Sequence, residues 1–166
     1  TDEAVVRPSR AEDGDGLSRL IARCWADYPG SVYDRQGEMA ALDDIQSYYE
    51  SVGGVHWSII RGDRIVGSLG AAPIESDVGI AWEMTKMYVA PLQRRSGFAS
   101  LLVGLAEEHA GERGAEQMIL WTDTRFHQAH RFYERLGYQS DSRTRVIDDL
   151  SRSVEYFYSK RLKPAL

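Results

Sequence analysis

The sequence has a single cysteine, Cys24, among its 166 residues. One cysteine excludes an intrachain disulfide and a cysteine-based zinc site, and it fits a reducing compartment. Long apolar runs are also missing, because Glu107 and Glu108 interrupt the stretch that begins at Leu101, so we expect no membrane partner. Residues 1–3 are acidic in character and lack the basic and apolar regions of a secretory signal, so we expect a cytoplasmic protein.

An excess of positive charge is missing as well, since the formal net charge is -5. Nucleic-acid-binding proteins usually carry a basic surface, so this balance argues against a nucleic-acid partner. Hydrophobic residues make up 43% of the chain and charged residues 27%, which is the usage of a globular protein. The sequence has no internal repeat, and its length predicts a single domain over residues 1–166.

Hydrophobic periodicity predicts a regular succession of strands and helices. Strand patterns are short β-branched or alternating runs, whereas helical patterns repeat their apolar residues every three to four positions. The predicted strands cover residues 5–7, 55–60, 64–72, 80–89, 117–121, 138–146 and 154–159, and the predicted helices cover 17–24, 39–49, 98–109 and 126–136. The strand–helix–strand unit over residues 80–121 implies one parallel strand pair in an otherwise antiparallel sheet.

The junction between Val89 and Phe98 has the chemistry of a phosphate site. The first amides of a helix are unpaired and carry a partial positive charge, so they bind phosphate. Gly97 allows a positive φ and leaves room for a diphosphate, and two arginines lie in the same turn. The sequence contains neither a P-loop lysine after Gly97 nor a G-x-G-x-x-G motif. A helix that simply follows a turn is the alternative interpretation.

Three segments resemble the GNAT superfamily of N-acetyltransferases. Residues 94–99 (RRSGFA) match its R-x-x-G-x-G/A signature, and residues 87–91 (MYVAP) look like the strand that enters this turn. Residues 129–138 (AHRFYERLGY) match the family's A-x-x-x-Y-x-x-x-G-[FY] helix, and the order of elements is similar from residue 4 to about 160. The resemblance implies an α/β (α+β) fold: a mixed, mostly antiparallel sheet of about seven strands, a central splayed parallel pair, and about four helices.

The same resemblance implies that acetyl-coenzyme A is the co-substrate. Its pyrophosphate would lie on the turn formed by Arg94, Arg95, Ser96, Gly97, Phe98 and Ala99. Its pantetheine arm would lie along Met87, Tyr88 and Val89, and the amide of Tyr88 or Val89 would polarise the thioester carbonyl. His127 and His130 are three residues apart with no third ligand nearby, so we expect no metal.

Two residues are candidates for acid–base chemistry. Glu83 lies six residues before Val89, where some members of the family have a glutamate as general base; a surface carboxylate is the alternative. Tyr133 occupies the position of the family's general acid and would donate a hydrogen bond to the departing thiolate. Core packing with Phe126 and Phe132 is the alternative role for Tyr133.

Phe126 departs from the family pattern, which often has an asparagine here that binds the pantetheine arm. Either this polar contact is missing, or His127 or His130 supplies it. His130 is also a candidate beside the thioester, because it lies one turn from the catalytic tyrosine; a solvated helix residue is the alternative. Trp121 and Asp123 would flank the thioester and are candidate substrate-binding residues. Capping of the next helix is the alternative role for Asp123.

The acceptor site is expected in the least regular segment, residues 28–38, together with the last hairpin. Tyr28, Tyr33, Asp34 and Glu38 could cage a cationic amine and pair with it. On this hypothesis residues 28–54 form a substrate lid, whereas a mobile acidic loop is the alternative.

These observations predict an N-acetyltransferase that moves an acetyl group from acetyl-coenzyme A to a primary amine of a small molecule or peptide, by direct attack in a ternary complex. A non-catalytic acyl-coenzyme A-binding sensor, in which Tyr133 only packs in the core, is the alternative. Acetylation of a charged transfer RNA is disfavoured by the net charge of -5. Homodimers are frequent in this family, and we expect the closing strand 154–159 to be exposed and able to pair across a two-fold axis.

Overall fold

The computed structural model describes residues 3–37, 39–77 and 79–163, and its described part forms one seven-stranded sheet. The strands are β1 (Ala4–Pro8), β2 (Val55–Arg61), β3 (Arg64–Ile74), β4 (Ala81–Val89), β5 (Gln117–Asp123), β6 (Gln139–Val146) and β7 (Val154–Arg161). Their lateral order is β1-β2-β3-β4-β5-β7-β6. All neighbouring strands are antiparallel except β4 and β5. The mixed sheet predicted from the sequence is therefore confirmed.

Four α-helices lie within the described residues. They are α1 (Gly14–Trp25), α2 (Ile45–Ser51), α3 (Phe98–Glu112) and α4 (His127–Arg135), and short 3-10 turns cover Ala11–Asp13, Ala40–Asp44 and Pro91–Gln93. The helix predicted over 39–49 is thus divided into a 3-10 turn and α2. The division occurs at Asp44, whose side chain accepts a hydrogen bond from the Ser47 amide and so caps a new helix. None of the described helices has the length and apolar character that crossing a membrane requires.

The helices bury two separate apolar clusters. One cluster joins α3 and α4 to the sheet through residues such as Leu102, Met118 and Tyr133. The other joins α1 and α2 through residues such as Leu17 and Ile45. Because successive strand residues point to opposite sides of a sheet, helices can cover both of its faces.

The prediction that the closing strand is an exposed edge is wrong. β7 lies between β5 and β6, and Phe157 and Tyr158 are only 3% and 5% exposed. β6 takes the edge instead, with all eight of its residues exposed. The physical reason is composition, since the polar sequence QSDSRTRV tolerates the edge, whereas the aromatic residues of β7 gain from burial. A homodimer stays a prediction, without β7 as its interface.

Candidate active site

The parallel strands β4 and β5 separate halfway along their length. They pair only from Ala81 opposite Gln117 to Met84 opposite Leu120. Beyond Met84 the two strands no longer pair, which opens the sheet at its centre. This opening is the splayed pair that the family resemblance implies.

A bulge lies in β4 just beyond the point of separation. Ser68 of β3 pairs with Tyr88, but Gly70 pairs with Thr85, so β4 contains one extra residue here. Lys86, inside the bulge, has a φ of 52°, which is an uncommon value for a residue with a side chain. Bulges bend a strand and redirect its backbone groups, and strained backbone of this kind is found at functional sites.

One side-chain contact holds the bulge from the α2 side. The Tyr49 hydroxyl is 2.6 Å from Thr85 Oγ1. Tyr49 reaches β4 by crossing β3 directly over Gly70, where a Cβ atom would lie 2.3 Å from the Tyr49 hydroxyl oxygen. Only glycine therefore leaves room for this contact.

Two further hydrogen bonds hold the same segment. The Ser68 hydroxyl donates to the Lys86 carbonyl at 2.9 Å, and the Trp25 indole donates to the Tyr88 hydroxyl at 3.1 Å. Since each bond starts from a different element, the bulged backbone is positioned before any ligand binds.

A cavity of about 620 Å³ lies beside the N-terminus of α3 and extends to α4. Its charged lining residues, among those that the structure describes, are Arg94, Arg95, Arg131 and Arg135, with no carboxylate. The other lining residues that the sequence predicted as cofactor contacts are Met87, Tyr88, Val89, Gly97, Phe98, Ala99 and Phe126. Ser96 lies in the same turn, where its hydroxyl donates to the Gln93 carbonyl. We call this space the cofactor cavity.

Sequence reasoning missed Arg131 and Arg135. They are four residues apart, so they share one face of α4, and this spacing was a usable signal. A cavity lined by four arginines and no acid attracts a polyanion although the whole chain is negative.

Gly97 begins α3 with a φ of 85°, as its role in a tight turn requires. A Cβ atom placed on it would meet no protein atom within 4 Å. The space above Gly97 is therefore open to a ligand, and the unpaired amides of the first helical turn border it.

A second cavity of about 210 Å³ adjoins the first, and we call it the acceptor cavity. The two cavities share the lining residues Trp25, Met87, Tyr88, Phe126 and Ala129. Glu83 and Tyr133 both line the acceptor cavity. The structure thus brings these two candidates to the place where a cofactor and an acceptor would meet.

Glu83 lies half-buried on β4. Burial raises the pKa of its carboxyl, Arg145 opposes this rise, and Glu155 adds to it. A carboxylate with a raised pKa is a stronger base than an exposed one, which suits it to accept a proton from an ammonium or a water molecule.

Tyr133 projects from α4 with 6% of its surface exposed. Its hydroxyl lies 3.8 Å from the Sδ atom of Met87 in the bulge. Burial raises the pKa of the phenol, so the hydroxyl stays protonated and is available as a donor.

The contacts of Phe126 show what occupies the position of the family's asparagine. Its ring packs on Tyr28 with a centroid separation of 4.6 Å, and both rings line the cofactor cavity. Tyr28, predicted at the acceptor site, therefore lies on the cofactor side. The polar residue near the start of α4 that lines this cavity is Gln128.

Neither histidine of α4 is among the residues that line the two cavities. His130 Nε2 is hydrogen-bonded to the Asp123 carbonyl at 2.9 Å, and its ring stacks on Tyr158. His130 is thus buried between α4 and β7 rather than beside a thioester. The described residues contain no group of three His, Cys, Asp or Glu side chains suited to hold a metal.

Tyr33 and Asp34 are not brought to the acceptor cavity either. The Tyr33 hydroxyl is bonded to Ser18 of α1, and the Asp34 carboxylate accepts a hydrogen bond from the Gly37 amide at 3.0 Å. Glu38, the fourth residue of that hypothesis, lies outside the described residues. The loop contributes Ser31 to the cavity lining instead.

Asp123 lines the acceptor cavity, but its carboxylate already has a partner. Arg125 donates to both of its oxygens, from Nε at 2.8 Å and from Nη2 at 2.6 Å. Burial alone would raise the pKa of Asp123, yet the hydrogen bonds from Arg125 lower it. Asp123 is 7% exposed, so this pair is largely shielded from solvent.

Arg125 was also missed by sequence reasoning, and it links two loops to the site. Its guanidinium donates to the Ser153 hydroxyl at 3.1 Å. Ser151, in the same loop, accepts a hydrogen bond from the Val32 amide at 2.6 Å and donates to the Val32 carbonyl at 3.1 Å. The walls of the acceptor cavity from residues 28–37 and 147–153 are therefore joined to each other and to β5.

Arg145 completes the charged lining of this cavity. Its guanidinium lies over the Trp121 ring, 4.4 Å from the centroid, and its Nε donates to Glu155 at 2.7 Å. Trp121, a candidate substrate-binding residue, itself lines the acceptor cavity.

The comparison with protein families matches residues 17–138 to the acetyltransferase (GNAT) family. An uncharacterized N-acetyltransferase of Escherichia coli K12, YjgM, is 30% identical over 137 residues, covering 81% of each protein. An aminoalkylphosphonate N-acetyltransferase of Salmonella typhimurium is 29% identical over 136 residues, covering 81% of this chain and 84% of that protein.

A similar fold is found among solved structures. A GNAT-family acetyltransferase from Staphylococcus aureus Mu50 superposes with a TM-score of 0.80 over 97% of this chain and all of that chain. The sequence identity is 19%, so the similarity concerns the fold.

Proposed function

Because the chain belongs to the acetyltransferase (GNAT) family and is an acetyl-coenzyme A-dependent N-acetyltransferase, we propose that it acetylates a primary amine of a small molecule or peptide. The transfer is a direct attack within a ternary complex. One observation carries this proposal: the arginine-lined cofactor cavity adjoins a smaller cavity that contains both Glu83 and Tyr133. The Salmonella relative is named as an acetyltransferase of aminoalkylphosphonates, whose acceptor group is an amine.

The positive charge of the cofactor cavity supports coenzyme A as its ligand. The open space above Gly97 receives the diphosphate on the amides of the first turn of α3, with Arg94 and Arg95 in the same turn. Arg131 and Arg135 line the same cavity from α4, where they neutralise further phosphate charge. Bound acetyl-coenzyme A supplies an activated acyl group and a thiolate leaving group.

Glu83 is assigned as the general base. An alkylammonium with a pKa near 10.4 must lose its proton before it can attack, and at pH 7 this costs about 4.6 kcal/mol. The half-buried carboxylate of Glu83 takes this proton directly or through a water molecule.

The bulge of β4 and Tyr133 act on the thioester rather than on the amine. Backbone amides near Tyr88 and Val89 stabilise the negative charge that develops on the thioester oxygen, and the contacts at Thr85 and Lys86 hold that backbone in place. Tyr133 donates a hydrogen bond to the departing sulfur.

Residues 28–54 form the wall of the acceptor site and act as its lid. Ser31 and Met39 of this segment line the acceptor cavity, and the Val32–Ser151 hydrogen bonds tie the segment to the loop before β7. These contacts support a lid within a single domain.

The test is release of free thiol from acetyl-coenzyme A in the presence of a panel of primary amines, followed by mass spectrometry of the amine product. Thiol release that depends on the amine and yields one acetyl group per thiol is expected. A protein that binds acetyl-coenzyme A but releases no thiol with any amine would instead be an acyl-coenzyme A sensor.

A further inference from the structure

Two contacts position Arg145 at the wall of the acceptor cavity. The Trp121 ring supports one face of its guanidinium, and Glu155 accepts a hydrogen bond from its Nε. Stacking on an aromatic ring and a charged hydrogen bond together reduce the freedom of a long side chain before any ligand binds.

The terminal nitrogens of Arg145 have no hydrogen-bond partner in the part of the chain that the structure describes. Among residues 3–37, 39–77 and 79–163, no hydrogen bond involves its Nη1 or Nη2, and its ion pair with Glu155 also runs through Nε. Arg125, in the same cavity, differs because it donates from both Nε and Nη2 to Asp123. Arg145 thus keeps the two-nitrogen fork that binds carboxylate and phosphate groups in a bidentate manner.

The charges around the acceptor cavity are balanced. The acidic lining residues are Glu83, Asp123 and Glu155, and the basic ones are Lys86, Arg125 and Arg145. Arg145 lies close enough to Glu83 to lower the pKa of that carboxyl. A positive and a negative recognition group therefore stand near each other in a cavity of only about 210 Å³.

We propose that the acceptor is a small amino acid-like molecule, in which a primary amine faces Glu83 and a carboxylate or phosphonate is bound by Arg145. This inference rests on the proposed acetyltransferase function and narrows it to amines that carry an anion. A simple cationic amine would pair with Glu83 but make no use of the guanidinium fork, and a diamine would be repelled by Arg145.

Pairs of acceptors that differ only in the anion provide the test. Glycine, β-alanine and 4-aminobutyrate are compared with their carboxamides, and 3-aminopropylphosphonate is compared with 4-aminobutyrate to distinguish the two kinds of anion. The three chain lengths provide three different spacings between the amine and the anion. Rates are compared per unprotonated amine, because amidation also changes the pKa of the amine.

For at least one chain length we expect kcat/KM to be tenfold or more higher for the anion than for its carboxamide, mainly through a lower KM. Arg145→Gln should bring this ratio close to one, because the rate with the anion should fall much more than the rate with the carboxamide. Arg143→Gln is the matched control, because Arg143 also lies on β6 and stacks on an aromatic ring, but it is bonded to Asp141 and does not line the cavity. This variant should keep the wild-type ratio.

Two results would overturn the inference while leaving the acetyltransferase function intact: equal use of acids and carboxamides by the wild type, or a ratio that survives in Arg145→Gln. Absence of amine-dependent thiol release with every member of the panel would instead overturn the proposed function, and the inference with it. A preference for the phosphonate or for the carboxylate identifies which anion the fork binds.

Discussion

The hydroxyl of Tyr133 lies 3.8 Å from the Sδ atom of Met87, and this contact joins α4 to the bulge of β4. Met87 lines both cavities, whereas Tyr133 lines only the acceptor cavity. Tyr133 is buried, and within the described part of the chain its hydroxyl has no strong hydrogen-bond acceptor, since a thioether sulfur is a weak one. The Tyr133 hydroxyl is therefore available to donate a hydrogen bond to a ligand sulfur atom that lies beside Met87.

Removing the Tyr133 hydroxyl should impair turnover far more than stability. In Tyr133→Phe the free energy of unfolding should fall by no more than about 1 kcal/mol, because only one weak hydrogen bond is lost. Turnover should fall roughly 10²-fold or more, which is the usual contribution of general-acid assistance. Steady-state kinetics, denaturant unfolding and calorimetry with acetyl-coenzyme A measure the three effects, and cofactor affinity should change little.

Tyr138→Phe is the matched control for this prediction. Tyr138 is equally buried and packs against Tyr133, but its hydroxyl donates to Glu107 at 2.8 Å and it lines neither cavity. Tyr138→Phe should have a lower free energy of unfolding than the wild type and the same turnover. The loss of turnover in Tyr133→Phe should be smaller when the thiol leaving group is more acidic. Wild-type turnover in Tyr133→Phe would show that Tyr133 only packs in the core.

Glu83→Gln should remove the acid limb of the pH–rate profile. In the wild type this limb should lie above the usual range of a carboxylate, because burial raises the pKa of Glu83 and the base works only when it is deprotonated. The variant should lose most activity at pH values between the pKa of Glu83 and that of the amine, where the wild type has a deprotonated base and the amine is still protonated. It should bind the cofactor like the wild type. Superimposable profiles would show that the base lies elsewhere.

The same substitution should stabilise the protein at neutral pH. Because folding raises the pKa of Glu83, the folded state disfavours its charged form, and this penalty is absent below the unfolded pKa and grows as pH rises through the folded pKa. Thermal unfolding of Glu83→Gln should therefore show a higher Tm than the wild type at pH 8 and little difference at pH 4. An equal shift at both pH values would contradict the assigned pKa direction.

Gly97→Val should weaken cofactor binding at least tenfold, or about 1.4 kcal/mol. A Cβ atom at this position meets no protein atom within 4 Å, so a valine side chain would extend into the space proposed for the diphosphate. Gly114→Val controls for the strain of a positive φ, because Gly114 has a φ of 83° at the other end of α3 and a Cβ there makes only ordinary contact. Calorimetry should find weakened binding in the first variant alone, and unchanged affinity in a folded Gly97→Val protein would refute the site.

Tyr49→Phe should lower kcat by about tenfold with little change in the KM for either substrate. The variant loses the hydrogen bond to Thr85 that holds the bulge, so the backbone amides should stabilise the transition state less well. Ser68→Ala removes the bond to the Lys86 carbonyl and should have the same signature. A change confined to stability, with kcat intact in both folded variants, would show that the bulge keeps its geometry without these contacts.

The order and approximate extent of the elements could be predicted from the sequence because each depends on local pattern. The strand predicted over 80–89 is β4, and the helix predicted from Phe98 is α3. The turn at Gly97 could be predicted in the same way. A junction between a strand and a helix can require a positive φ, which glycine adopts easily, and this is a local property of the sequence. Glu83 and Tyr133 followed from their spacing to these elements and from the resemblance, and their chemical roles stay predictions.

The lateral order of the strands and the partners of the charged residues were decided only by the tertiary structure. Arg131, Arg125 and Arg145 reach the two cavities from α4, the loop before it and β6, and no local pattern records that these segments converge. His130 and Tyr28 were misplaced for the same reason, because residues on one helix turn or one loop face different neighbours once the chain is packed. Periodicity reports whether a residue is buried, but the identity of its neighbours depends on which strands pair, and burial of the whole chain selects that pairing.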